Sequence, residues 1–156
     1  MSYWMLNGEV IGEAFDISDY EGFVYCINYT DGTKYIGKKN FWSTFEKETL
    51  KRDGVKRDGH LEFVGRRRGG KNVKRERFRK EMNWRKYNGS SSYTDGKQIE
   101  SKEILKLCSS KLDLTYWETY YLMEAKVLFD DIYLNCNILG KFYAGQLTDS
   151  KEYIKD

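Results

Sequence analysis

The sequence predicts an α+β domain, because its first quarter carries a β-hairpin signal and its last third carries a helix signal. Residues 23–29 are rich in strand-forming side chains, and the Asp31-Gly32 dipeptide that follows them is typical of a hairpin turn. Residues 33–37 then form the predicted returning strand. A length of 156 residues suits one domain and leaves no room for two full hydrophobic cores.

The last third of the chain predicts a strand followed by a helix. Ile99 to Cys108 favours a strand, although its alternation of apolar and polar residues is incomplete. Ser110 and Thr115 each begin a capping-box pattern. These patterns predict a helix from about residue 111 to residue 129.

The positive charge is concentrated in one segment. The net charge is only +3, but residues 51–86 hold 15 Lys and Arg against five Asp and Glu. Lysine and arginine neutralise phosphates and release counterions, so the segment is interpreted as a nucleic-acid contact, with a solvated loop as the alternative. Its glycines favour a mobile loop over 51–73, whereas 74–84 is compatible with a helix. The DNA-contacting candidates are Arg66, Arg67, Arg68, Lys71, Lys74, Arg75 and Arg85.

The composition argues against several classes of protein. No apolar run approaches the roughly 20 residues that a membrane helix requires, so no membrane partner is expected. The N-terminus lacks the basic and apolar regions of a signal peptide. Cys26, Cys108 and Cys136 are odd in number and form no CxxC pair, which argues against a disulfide framework and a structural zinc site. We therefore expect a reducing, cytoplasmic location.

Glu118 falls inside the apolar stripe of the predicted helix. On a helical wheel of about 100° per residue, it lies between Ala125 and Phe129, on the same face as Leu114 and Tyr121. A carboxylate in an apolar stripe is unfavourable unless it is paired, metal-bound or neutral. Two interpretations stay open: a glutamate at the rim of the stripe that bonds to a tyrosine or a lysine, and a metal ligand or acid-base group that faces a cleft.

Two tyrosines lie ten residues apart, one on each strand of the predicted hairpin. Tyr25 ends a Phe-Val-Tyr tripeptide, Tyr35 begins a Tyr-Ile-Gly tripeptide, and Glu118 follows on a later helix. This arrangement resembles the GIY-YIG nuclease superfamily, whose second tripeptide is matched in full while the first differs at two positions. The Trp84–Ser91 element, Trp-Arg-Lys-Tyr-Asn-Gly-Ser-Ser, is similar to an element of small phage-type members.

The resemblance implies a small antiparallel three-stranded sheet flanked by helices. The nuclease domain would cover residues 22–147, with the basic segment 51–86 as an insertion, after an N-terminal arm of residues 1–21 that could also hold an edge strand. Residues 148–156 would form a charged tail.

One departure from the family pattern concerns Phe45, which occupies the position where many members carry an arginine on their first helix. We expect Phe45 to pack into the core instead.

The resemblance also implies roles for the residues of the hairpin and the helix. Glu118 would bind one Mg²⁺ or Mn²⁺, since a hard oxygen ligand suits these ions. Tyr35 would orient water or phosphate by a hydrogen bond. Tyr25 would act as general base on the attacking water or position it. The role of general base requires nearby cations, such as Lys38, to lower the pKa of the phenol.

Two further roles have more than one candidate. Lys86 or Arg85 would supply the positive charge that Phe45 lacks. Lys86 would stabilise the pentavalent transition state. An asparagine near the end of the core is usual in the family, and the resemblance offers Asn135 or Asn137 for it, with Asn135 preferred.

These expectations together predict a metal-dependent DNA endonuclease, of a homing type or one that degrades host DNA, encoded by a phage or mobile element and located in the host cytoplasm. One such site cuts one strand, so a double-strand break would need a homodimer or two successive nicks. Two alternatives stay open: a non-catalytic nucleic-acid-binding module on the same fold, and a phage factor that binds a host protein. At residue level, Tyr25 and Tyr35 could be cross-strand core residues, and Lys38 could guard a strand edge.

Overall fold

The computed structural model describes residues 3–49, 62–68, 74–89 and 91–147. These residues form two compact units: the first comprises the chain up to Lys39 together with the chain from Trp84 onward, and the second runs from Asn40 to Asn83. The elements in chain order are β1 (Trp4–Leu6), β2 (Glu9–Val10), β3 (Gly22–Tyr29), β4 (Lys34–Asn40), β5 (Trp42–Thr49), β6 (Glu62–Arg68), β7 (Lys74–Glu81), a 3₁₀ helix (Ser92–Thr94), β8 (Ile99–Cys108), α1 (Lys111–Glu124), β9 (Asn137–Ile138) and β10 (Phe142–Tyr143).

The first unit is built on a five-stranded mixed sheet with the strand order β2-β1-β8-β3-β4. β3 pairs antiparallel with β8, whereas β1 lies parallel to β8 and antiparallel to β2. The α+β class is therefore confirmed. The expected three-stranded antiparallel sheet flanked by helices is wrong, because the N-terminal segment adds two strands and α1 is the one α-helix among the described residues.

Trp4 anchors the N-terminal strand to the sheet. Its ring is buried and packs edge-on against Phe23 and Tyr25 of β3, with ring centroids 4.9 and 5.2 Å away. Its Nε1–H donates a hydrogen bond of 2.8 Å to the carbonyl oxygen of Trp84. The segment that the sequence assigned to an arm or an edge strand therefore contributes β1 and β2 to the sheet.

The predicted hairpin is confirmed as β3 and β4, which are neighbours in the sheet. At its turn, the Asp31 carboxylate accepts hydrogen bonds from the backbone N–H and the hydroxyl of Thr33, at 3.0 and 2.5 Å, and it also pairs with Lys97. Because β3 lies between β8 and β4, it is buried on both faces. Cys26 joins the apolar cluster beneath α1, and the neighbouring Tyr25 packs on the other face.

The helix begins where the sequence predicts and ends earlier. The hydroxyl of the N-cap residue Ser110 accepts the N–H of Asp113 at 3.0 Å, and the preceding strand is confirmed as β8. The helix stops at Glu124, because Lys126 adopts a left-handed φ of 51°. Residues that follow the helix still pack into the core. Because their apolar side chains continue the helical periodicity, the sequence predicts a helix that is too long. No helix among the described residues is long and apolar enough to span a bilayer.

The second unit is a three-stranded antiparallel sheet with the order β5-β7-β6. β6 lies inside the predicted loop of residues 51–73, and β7 occupies most of the stretch 74–84 that favoured a helix, so both predictions are wrong there. The remainder of the predicted loop lies outside the described residues. Phe45 of β5 pairs in register with Phe78 of β7, with ring centroids 6.1 Å apart. Phe45 therefore lies on a strand, not on the helix that the resemblance implied.

Replacing Trp4 by Phe tests the anchor of the N-terminal strand. We expect the Trp4→Phe protein to lose about 1–3 kcal/mol of unfolding free energy, since it loses a buried hydrogen bond and the packing of the larger ring. Chemical denaturation followed by circular dichroism measures this loss. The control is Tyr116→Phe, whose side chain is 62% exposed. Equal unfolding free energies for the two variants would contradict the anchoring role.

Candidate active site

A cavity of about 470 Å³ opens beside β4, the last strand of the five-stranded sheet. β4 contributes Tyr35 and Lys38 to its lining, α1 contributes Glu118, and the segment after α1 contributes Asn135. Four of the six candidate catalytic residues therefore meet at one place within the first unit.

Glu118 is half-buried in the wall of this cavity. Burial raises the pKa of its carboxyl group above the ordinary value, and the positive charge of Lys38 opposes that shift. No three His, Cys, Asp or Glu side chains in the described part of the chain cluster as a metal site, so a cation here would have Glu118 as its charged protein ligand. Such a site suits Mg²⁺, which is commonly held by one or two carboxylates together with water and substrate phosphates.

Lys38 is held beside Glu118 by the helix itself. Its Nζ donates a hydrogen bond of 2.9 Å to the hydroxyl of Thr115. Thr115 and Glu118 are neighbours on the helix surface, because residues three apart lie on one face. The exposed ammonium of Lys38 therefore lies at the cavity, next to the carboxylate, where it can meet an anionic group.

The two tyrosines of the hairpin contact each other across Gly37. The ring centroids of Tyr25 and Tyr35 are 6.4 Å apart. A Cβ atom on Gly37 would lie 2.5 Å from the phenolic oxygen of Tyr25 and 3.1 Å from Cε1 of Tyr35. Only glycine fits here without a shift of the Tyr25 ring, which gives the Tyr-Ile-Gly tripeptide a steric reason.

Tyr25 is 2% exposed and does not line the cavity. Burial raises the pKa of its phenol, and a hydrogen bond with Tyr87 and the negative charge of Glu118 act in the same direction. This raised pKa runs against the condition that the base role requires, in which a cation such as Lys38 lowers it. Burial likewise raises the pKa of Tyr35, so both phenols are neutral hydrogen-bonding groups at neutral pH.

Asn135 clamps the backbone of β4 between Tyr35 and Gly37. Its Oδ1 accepts the N–H of Ile36 at 3.0 Å, and its Nδ2 donates to the carbonyl oxygen of Ile36 at 2.7 Å. The side chain thus continues, at Ile36, the edge pairing that the backbone of Ile132 and Leu134 makes with Lys34. Asn137, the alternative candidate, accepts the N–H of Gly140 at 3.1 Å and holds a different turn.

A buried lysine that the sequence prediction missed secures the segment after Trp84. Lys102 of β8 is fully buried, and its Nζ lies 4.5 Å from the ring centroid of Trp4. The Nζ donates to the carbonyl oxygens of Arg85 and Tyr87 at 3.4 and 2.8 Å and to Oδ1 of Asn88 at 3.0 Å. Burial lowers the pKa of its amine to about 8, so it stays mainly protonated at neutral pH. This anchor keeps Tyr87 against the ring of Tyr25, with ring centroids 5.9 Å apart.

The two basic residues of this segment are placed differently. The Arg85 guanidinium donates to the carbonyl oxygens of Glu13 and Phe15 at 3.3 and 3.5 Å and stacks on Trp84. These contacts tie Arg85 to the N-terminal segment. The side chain of Lys86 is exposed and is not among the residues that line the cavity.

The remaining DNA-contacting candidates belong to the second unit. Arg67 pairs in register with Arg75, and Arg68 pairs in register with Lys74, along β6 and β7. Arg66 lies opposite Glu76. Lys71 lies outside the described residues.

A family model described as "Putative endonuclease segE, GIY-YIG domain" matches residues 4–138. The match begins at the first residue of β1 and ends at the last residue of β9. It therefore includes both hairpin tyrosines and all four candidate residues that line the cavity. No curated protein and no solved structure matches this chain.

Gly37→Ala tests the close contact between the two central strands. We expect this variant to lose about 1–3 kcal/mol of unfolding free energy, because the added methyl group overlaps the Tyr25 phenol. Tyr25→Phe, combined with Gly37→Ala, should recover part of the loss by removing the nearest atom. The control is Gly12→Ala, since no atom lies within 4 Å of a Cβ built there. Additive losses in the double variant would contradict the contact.

Lys102→Met tests the anchor of the segment 84–88. We expect faster amide hydrogen exchange in that segment and a loss of about 1–3 kcal/mol of unfolding free energy, since buried acceptors lose their donor. Exchange followed by mass spectrometry separates the local effect from global unfolding. Lys106→Met, an exposed lysine on the same strand, is the control and should leave the exchange unchanged. Unchanged exchange in Lys102→Met would mean that other contacts hold the segment.

Proposed function

This chain belongs to the family of GIY-YIG endonuclease domains described for segE, and on that premise we propose that it is a divalent-metal-dependent endonuclease that hydrolyses phosphodiester bonds in DNA. The observation that supports this proposal most strongly is the cavity where Tyr35, Lys38 and Glu118 meet. In hydrolysis of a phosphodiester, a carboxylate can hold a divalent metal, a cation can offset the charge of the phosphoryl oxygens, and a phenol can donate a hydrogen bond to phosphate or water.

Glu118 is the residue that would hold the metal, Mg²⁺ or Mn²⁺. Its half-buried carboxylate at the cavity wall fits a site with one protein carboxylate, which leaves positions for water and phosphate. When bound, the ion supplies charge that stabilises the phosphoryl oxygens and the leaving oxygen. Helix α1 fixes the direction of this carboxylate, and the Lys38–Thr115 hydrogen bond keeps a cation beside it.

The other residues of the cavity would bind and orient the reactants. Lys38 would contact a non-bridging phosphoryl oxygen and offset its negative charge. Tyr35, with a neutral phenol, would donate a hydrogen bond to the phosphate or position the attacking water. The oxygen of that water forms the new bond to phosphorus while the bond to the 3′ oxygen breaks. The attacking water gives up one proton to solvent and the leaving 3′ oxygen takes one up, which leaves 5′-phosphate and 3′-hydroxyl ends.

Tyr25 and Asn135 would act by positioning these groups. The raised pKa of Tyr25 argues against its role as general base and favours the second role that the resemblance allowed, in which it positions the attacking water. Because Tyr25 is buried, it would do so through Tyr35, whose ring centroid lies 6.4 Å away. Asn135 would keep β4 in register with both amide atoms bonded to Ile36.

Basic residues outside the cavity would hold the DNA backbone. Lys86 is exposed on the turn after Trp84 and is proposed to substitute for the arginine that Phe45 replaces. The lysines and arginines concentrated in residues 51–86 would neutralise DNA phosphates and release their counterions. One site cuts one strand, so a double-strand break would require a homodimer or two successive nicks.

A nicking assay on supercoiled plasmid with Mg²⁺ or Mn²⁺ tests the proposed function. We expect Glu118→Ala to lower the nicking rate by roughly 100- to 1,000-fold, because the metal contributes several kcal/mol to the transition state. Glu124→Ala, which removes an exposed glutamate from the same helix, is the control. DNA ligase should seal the nicks without repair of their ends.

Two results of this assay would overturn the proposal. Nicking that is equal in the wild type and in Glu118→Ala would remove the catalytic assignment. Salt-sensitive DNA binding without any nicking would favour a non-catalytic nucleic-acid-binding module. This outcome is worth testing because Phe45 stands where many family members carry an arginine.

A further inference from the structure

Two exposed side chains stand at the rim of the catalytic cavity. Tyr93 is 59% exposed and Leu139 is 52% exposed, and both line the cavity that contains Glu118 and Lys38. Single exposed apolar residues are ordinary on a protein surface. Two of them at the mouth of one polar cavity are less ordinary. The backbone conformation of Leu139 and the hydrogen bonds around Tyr93 indicate that both are held there for a function.

Leu139 adopts a left-handed backbone conformation, which favours glycine or asparagine. Its φ is 58° and that of Gly140 is 64°, and the N–H of Lys141 donates to the carbonyl oxygen of Ile138 at 3.1 Å. A turn with positive φ at both central positions favours Asn-Gly, because asparagine tolerates the left-handed region better than a bulky side chain. Leucine is therefore unfavourable here for the backbone and for exposure to water.

The turn that carries Leu139 is nevertheless held firmly. The Oδ1 of Asn137 accepts the N–H of Gly140 at 3.1 Å, and β9 pairs with β10 on either side of the turn. A strained residue that the surrounding structure fixes in place is a recognised mark of a functional position.

Hydrogen bonds also hold Tyr93 at the rim of the cavity. The hydroxyl of Ser91 caps the 3₁₀ helix by accepting the N–H of Tyr93 at 3.3 Å, and the hydroxyl of Thr94 donates to the carbonyl oxygen of Ser91 at 2.7 Å. The phenol of Tyr93 hydrogen-bonds with the thiol of Cys136, another residue of the cavity wall. These contacts fix the ring at the rim while most of it stays exposed.

We propose that Leu139 and Tyr93 together hold a nucleotide next to the scissile phosphate out of the base stack. Leu139 enters the stack as an apolar wedge, as leucine side chains do in proteins that kink DNA. Tyr93 offers its face to the displaced base, since aromatic rings stack on bases of any sequence. The cavity volume of about 470 Å³ lies within the range of sites that take small organic groups.

The inference rests on the proposed function and specifies its substrate class. The preferred substrate is DNA in which a base at the cleavage position is unpaired or easily unstacked, such as a bulge, a mismatch or a flexible pyrimidine–purine step. A fully paired, stiff sequence is cut more slowly, because the protein must first disrupt its stacking. Recognition of this kind needs no hydrogen bonds to base edges.

Fluorescence of 2-aminopurine tests the inference, since this base becomes brighter when it leaves the stack. The nick is first mapped on plasmid DNA with the wild type, and duplexes with 2-aminopurine on either side of that position are then bound by the Glu118→Ala protein. We expect the fluorescence to rise on binding. Adding Leu139→Asn should abolish the rise while the melting temperature stays the same or increases, because asparagine suits the turn.

Substitutions of Tyr93 provide the second arm of the test. Tyr93→Ala should weaken binding to a bulged duplex by about 5- to 150-fold, the equivalent of one lost stacking contact, whereas Tyr93→Phe should bind nearly as the wild type does. Tyr116→Ala removes an exposed tyrosine of α1 that does not line the cavity, and it serves as the matched control.

The outcomes separate this inference from the proposed function. Two results would overturn the inference and leave the proposed function in place. In the first, the wild type cleaves DNA but the 2-aminopurine fluorescence does not rise on binding. In the second, paired and bulged duplexes are cleaved at equal rates, both by the wild type and by Leu139→Asn. A wild type that cleaves no DNA would remove the proposed function and the inference with it.

Discussion

The ring of Tyr25 lies so close to the backbone of Gly37 that one added methyl group would overlap it, at 2.5 Å from the phenolic oxygen. Trp4 and Tyr87 close two other sides of the ring, with ring centroids 5.2 and 5.9 Å away. Protein interiors are close-packed and transmit displacements. A shift of this ring would therefore move Tyr35, its neighbour across the hairpin, and with it the wall of the cavity that contains Glu118.

Polar groups from distant parts of the sequence keep this arrangement in place. Asn135 bonds to the backbone of Ile36, 99 residues away, and closes the edge of β4 beside Tyr35. Lys102 supplies donors to the segment that carries Tyr87. Asn135 uses both of its amide atoms in these hydrogen bonds, and Lys102 uses its ammonium, so both residues position the backbone around the cavity. Tyr35, Lys38 and Glu118, the residues proposed to bind and orient the reactants, line the same cavity.

Local signals made the hairpin and the start of the helix predictable. The Asp31-Gly32 turn and the Ser110 cap each act over a few residues, and the wheel singled out Glu118, which lies at the cavity. The strands of the second unit could not be predicted in this way, because their pairing joins residues far apart and their charges mask any apolar alternation. Lys102 was missed because its burial depends on acceptors from residues 85–88, which no local pattern contains.

The central claim is that Glu118 holds the catalytic metal within this cavity. Anomalous diffraction from crystals grown with Mn²⁺ and a short DNA that resists cleavage, such as a phosphorothioate duplex, tests it most directly. The predicted result is an anomalous peak at the Glu118 carboxylate, with a phosphate between this peak and the ammonium of Lys38. A peak at another site, with none at Glu118, would contradict the claim.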